Sequence, residues 1–191
     1  EEHLIRCSKL AIDHNMAVYQ ACAQSTRADL YIRLTAWNDA EALLTEAEQL
    51  ALKTETADVL PEIYRGWSQL WCARDDWKSA VASAERALEV AKELGDPREQ
   101  GMSQRVLGQA LFAAGRTVEA LVCYEQSHDL LADQDSYEAA RTKAAWGKDM
   151  LTSDAAERGR ELLNEAHVVF AQLGAKRDLA DLDRIIGRAS A

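Results

Sequence analysis

Arg65 and Gln69 stand four residues apart, and Arg105 and Gln109 repeat the pair forty residues later. In a helix that spacing places the two members of each pair one turn apart on one face. A guanidinium can grip a carboxylate through two parallel hydrogen bonds, and a carboxamide can serve a peptide backbone amide. The chemistry on offer is recognition of an extended acidic segment or an acidic small effector. Arg141 and Lys148 continue that character further along the chain.

Other constellations are weaker. Glu125 and His128 form a single E-x-x-H, the spacing that puts carboxylate and imidazole on one helix face in di-iron bundles, but such sites need a second copy and further carboxylates. His167 lacks the matching Glu, and His3 and His14 have no partner in local sequence. Gly108 and Gly115 are seven apart with Arg116 and Thr117 beyond, which is not the GxxxxGK of a phosphate loop. We expect Gly108 to permit close helix approach and Gly115 to make a turn. No Ser or Cys carries a local His and acid arrangement, so the sequence reads as non-catalytic, with no cofactor and no metal.

The elements that must position these residues are helical. In 191 residues there are 9 glycines and 2 prolines. That scarcity, with abundant Ala, Leu, Glu and Arg, predicts long helices and no strands. The formal net charge of −10 argues against nonspecific binding to nucleic acid or to anionic membrane. Cys7, Cys22, Cys72 and Cys123 are 15, 50 and 51 residues apart and form no CxxC pair. Reduced thiols and a cytoplasmic setting are expected. No apolar run reaches the length of a bilayer span, no signal peptide is legible, and the opening Glu1 suggests a natural N-terminus further upstream.

A period organises the rest. Segments 34–51, 74–91 and 114–131 align, with Ala40, Ala80 and Ala120 forty apart, and 152–170 follows with Gly159 at the same place. Each is an amphipathic helix, B, preceded by a second periodic stretch, A, at 28–34, 63–73, 102–114 and 141–151. Leu94-Gly95-Asp96-Pro97 stops one helix at a glycine and caps the next with Asp96, where Glu99 could complete a capping box; Asp135 and Glu138 repeat the start. A hairpin this small cannot bury its apolar face alone, so the units must stack.

The third unit resembles a tetratricopeptide repeat. Counted from Gly101, residues Leu107, Gly108, Leu111, Gly115, Ala120 and Tyr124 occupy that family's small and large consensus positions. Trp67, Trp71, Trp77, Ala80, Ala84 and Ala87 do so in the second unit, Tyr31, Trp37, Ala40, Leu44 and Ala47 in the first, and Trp146, Gly147 and Ala166 in the fourth. The period is 39 to 40 rather than the family's 34, which resembles the sensor regions of large bacterial transcriptional regulators and signalling ATPases.

The resemblance implies an all-α, right-handed α-solenoid of about four helical hairpins in a single superhelical domain, 1–191. Residues 1–16 would be the orphan helix of a truncated repeat, 17–54, 55–95, 96–133 and 134–174 the repeats, and 175–191 a capping helix. Trp37, Trp67, Trp77 and Trp146 would be core.

In such an array the A helices line the concave groove. The A segments 21–34, 61–74, 101–114 and 140–153 carry formal charges of +1, +1, +1 and +2, against −3, −2, −3 and −2 for the B segments 35–54, 75–95, 115–133 and 154–174. The resemblance therefore places basic character, and Arg65, Gln69, Arg105, Gln109, Arg141 and Lys148, inside the groove. There they would bind a protein or peptide, an acidic one, or other domains of the same full-length protein, but no nucleic acid and no membrane. The plainer reading is that they solubilise the groove or pair with acids of neighbouring B helices.

Overall fold

The structure, a computed structural model, describes residues 2–14 and 16–189. Residues 1 and 15 of the expected orphan helix and 190 and 191 of the expected cap lie outside them. The described chain is all helix: α1 (Glu2–Asp13), α2 (Ala17–Arg33), α3 (Trp37–Lys53), α4 (Leu60–Ala73), α5 (Trp77–Glu93), α6 (Pro97–Ala113), α7 (Thr117–Leu131), α8 (Ser136–Met150), α9 (Ala156–Leu173) and α10 (Lys176–Ala189), with one 3₁₀ turn at Ala57–Val59. Helices pack in consecutive antiparallel pairs, as in a tetratricopeptide-like solenoid. None is long and apolar enough to cross a membrane. The chain forms two compact units, Glu1–Glu99 and Gln100–Ala191.

One left-handed residue makes most of the reversals. Thr35, Asp75 and Gly115, forty apart, have φ of 59°, 59° and 78° and end α2, α4 and α6; Glu55 and Gly95, with φ of 55° and 66°, do the same after α3 and α5. The following amide then reaches back five residues, as Arg116 N does to Leu111 O at 2.9 Å and Asp76 N to Trp71 O at 3.0 Å. That is the Schellman closure, which satisfies carbonyls the helix end would orphan. Asp96 caps α6 by accepting from Arg98 N and Glu99 N, and Asp135 caps α8 by accepting from Glu138 N.

In the first unit the core is built on small residues: Ala21, Ala28, Ala40 and Ala47 are fully buried with Leu44, Ile63 and Leu70. A Cβ at Gly66 of α4 would lie 2.7 Å from Leu44 Cδ2, so the absence of a side chain sets the approach of α3 and α4. In the second unit a Cβ at Gly108 would meet the Tyr124 ring at 3.0 Å, and one at Gly147 would meet Gly159 O at 2.7 Å. The glycine pair at 147 and 159 thus lets the α8 and α9 backbones touch. Leu163, Ala166, Phe170 and Leu182 are buried around Ala140, with Tyr137 packed on Phe170 at 5.7 Å.

The tryptophans depart from expectation. Trp67, Trp71, Trp77 and Trp146 are half-buried and Trp37 is 36 % exposed. Trp67 packs against the first unit's core from its edge and stacks on Trp71, and Trp146 stacks on Tyr124 at 6.0 Å.

Candidate functional site

Arg105 leaves α6 toward the first turn of α8. Its guanidinium lies 2.6 Å from the Glu138 carboxylate and donates to the Glu138 carbonyl at 3.1 Å, with the two side chains 7 % and 6 % exposed. Arg141, one turn along α8, reaches the other Glu138 oxygen at 3.2 Å. Burial pushes the Glu138 carboxyl up, but the two guanidiniums more than offset it and hold the group below its usual range. In the first unit the Arg65 guanidinium donates to the Glu99 carboxylate at 2.5 Å, across 34 residues, and Gln69 is half-buried on α4. The acids that receive Arg65 and Arg105 thus lie in the first turn of the next A helix, not on B helices.

Gln109, Arg141 and Lys148 come together. They line a cavity of about 170 Å³ in the second unit, where α10 faces them with Asp178 and Asp181. Ala144 and Ala145 of α8, Phe170 of α9, and Leu182 and Ile185 of α10 supply its apolar surface. Arg141 stays charged, since Glu138 outweighs the cost of its burial, and its guanidinium sits 5.9 Å from the Tyr137 ring centre. The Tyr137 hydroxyl donates to Asp178 at 3.1 Å, and burial with the Asp178 charge pushes that phenol up. The arrangement offers two cations on one wall, two carboxylates on the other, an amide at one end and an apolar floor. The cavity thus presents both signs of charge to solvent; among the described residues no three His, Cys, Asp or Glu side chains converge as a metal site.

The tetratricopeptide repeat family matches residues 59–133. Over those residues the chain is similar to tetratricopeptide repeats. In solved structures the tetratricopeptide-like fold of this chain is similar to BtubC from P. vanneervenii, with a TM-score of 0.69 and 16 % identity over 98 % of this chain and 81 % of that one. It is also similar to a signal transduction ATPase with numerous domains, carrying a tetratricopeptide repeat sensor, from Pyrococcus horikoshii: TM-score 0.67, 18 % identity, 95 % of this chain and 28 % of that one. At these identities the likeness is one of fold. No curated protein sequence matches the chain.

Within this tetratricopeptide-like scaffold, sequence reasoning missed Asp178 and Asp181. Residues 178, 181, 182 and 185 share one helical face, and that spacing was the available signal. It also missed a cavity of about 360 Å³ in the first unit, lined by Tyr64, Trp67 and Trp71 of α4 between Glu48 and Arg86. There the two indoles stack at 5.7 Å, Trp67 donates to Glu48 at 2.9 Å, and Arg86 pairs with Glu89. Its two charged groups, Glu48 and Arg86, are held by Trp67 and Glu89, whereas the α8–α10 cavity sets cations against carboxylates and includes the exposed Lys148, which makes it the better candidate.

Proposed function

We propose that this chain is a non-catalytic interaction and effector-sensing module, belonging to a larger bacterial regulatory protein and working in the cytoplasm. Tetratricopeptide repeats as a family mediate protein–protein interaction, and the fold is typically a non-catalytic scaffold. The regulatory setting draws on the likeness to the sensor-bearing signalling ATPase, of which this fold spans 28 %. The four hairpins, orphan helix and cap would serve as one module.

One observation carries the reading: Gln109, Arg141 and Lys148, from two helices, converge on one cavity that the cap helix closes. A ligand there would touch α6, α8 and α10 together. Its binding energy would fix the cap, and so change the surface offered to a neighbouring domain.

A peptide-docking adaptor for acidic segments is the second reading, and Arg141 with Lys148 is the observation favouring it. Both readings use the same test. A labelled hexapeptide of Asp and Glu is titrated against the protein and against Lys148→Gln and Arg141→Gln. Saturable binding weakened at least tenfold by either substitution supports the acidic-segment version; equal binding by all three proteins removes this cavity as its seat.

A further inference from the structure

We infer that the cavity between α8 and α10 is a seat for a free α-amino acid with an aliphatic side chain. The inference rests on the proposed effector-sensing role of that cavity and names the ligand class.

The walls carry opposite charge. Arg141 and Lys148 are two turns apart on one face of α8, and Asp178 and Asp181 one turn apart on the facing side of α10. A purely acidic ligand would satisfy the first pair and be repelled by the second. A ligand bearing a carboxylate and an ammonium on one carbon satisfies both, and Gln109 can bond to either group. Between the charged walls lie Ala144 and Ala145, whose small side chains leave the space, with Phe170 and Leu182 nearly fully buried beneath.

Size agrees. An apolar cavity of about 150 Å³ admits benzene, so the observed volume of about 170 Å³ suits a solute somewhat larger than that ring. An amino acid such as leucine is in that range; a peptide segment would have to lie mostly outside.

One of the carboxylates is also available for exchange. Asp181 is bonded to Arg184 one turn along its own helix, with side chains 46 % and 69 % exposed. Such exposed pairs contribute little, so a ligand ammonium can replace the guanidinium at small cost. Lys148 is exposed and can swing its amine onto a bound carboxylate.

Calorimetric titration of the whole chain with L-leucine, N-acetyl-L-leucine, L-leucinamide, glycine and the acidic hexapeptide tests this. Expected is saturable leucine binding, at least tenfold weaker for each blocked derivative and for glycine. Asp181→Asn should weaken leucine at least fivefold while leaving N-acetyl-leucine unchanged, and Ala145→Phe should abolish binding by filling the floor. Blocked derivatives binding as well as leucine would overturn the zwitterion assignment. Hexapeptide binding without leucine binding would overturn it too while leaving the cavity's sensing role standing; no binding by any probe would remove both.

Discussion

The Arg105 guanidinium lies 2.6 Å from the Glu138 carboxylate, and neither side chain is more than 7 % exposed. Breaking such a buried pair from one side leaves an uncompensated charge, at a cost of about 3–5 kcal/mol. Glu138→Gln and Arg105→Ala should each destabilise the protein by about that much in urea unfolding. The double variant Arg105→Met/Glu138→Leu should recover part of the loss, the remainder reflecting Arg141, which also loses its partner.

The same pair sets a response to acid. The folded-state Glu138 carboxyl titrates below its ordinary value of 4.5, so its contribution is present above that pH and is lost as pH falls through the depressed folded value. Urea midpoints measured from pH 5 to pH 3 should fall steeply for the natural protein and less steeply for Glu138→Gln.

Asp149 should act with the opposite sign. Burial pushes its carboxyl up to about 6, although Tyr124 donates a hydrogen bond to it and Lys148 lies nearby. Between its ordinary value of 3.8 and about 6 the folded state holds the extra proton, so the group favours folding increasingly as pH drops from 7 toward 4. Asp149→Asn keeps an acceptor for Tyr124 and removes the buried charge. It should raise Tm at pH 7, with the advantage over the natural protein shrinking to nothing by pH 4.

Left-handed turn positions offer stabilisation. Thr35 and Asp75 adopt φ of 59° where the third repeat has Gly115. A left-handed conformation costs a non-glycine residue about 1–2 kcal/mol, against about 0.5–1 for the extra chain entropy of glycine. Thr35→Gly and Asp75→Gly should each raise stability by about 0.5–1 kcal/mol, and Gly115→Ala should lower it, all readable in thermal melts.

Gly108 answers to packing instead. A methyl there would press on the buried Tyr124 ring at 3.0–3.1 Å. Gly108→Ala gains about 1 kcal/mol of helix propensity but overpacks a seam, which costs about 1–3. A net loss of up to about 2 kcal/mol is expected, and Gly108→Ala/Tyr124→Leu should restore part of it.

The helices, their pairing and the seams were legible in the sequence because each is encoded locally. Ala40, Ala80, Ala120 and Gly159 recur at the repeat period, and all four are buried where helices cross. Asp96 and Asp135 announce their caps within three residues. Helical periodicity alone assigns a residue to a face, and a face is enough to predict a hairpin.

What a charged side chain does on that face depends on the register between helices distant in sequence. Arg65 and Glu99 are 34 residues apart and Arg105 and Glu138 are 33 apart, so nothing local tells that these two arginines are already held by acids of the next hairpin. Nor does it tell that Arg141 and Lys148 face Asp178 and Asp181. The repeat pattern determined the scaffold because backbone hydrogen bonds and close seams act between near neighbours. Only the packing of α6, α8 and α10 in three dimensions decided which of its charges are buried in pairs and which line the cavity of the second unit.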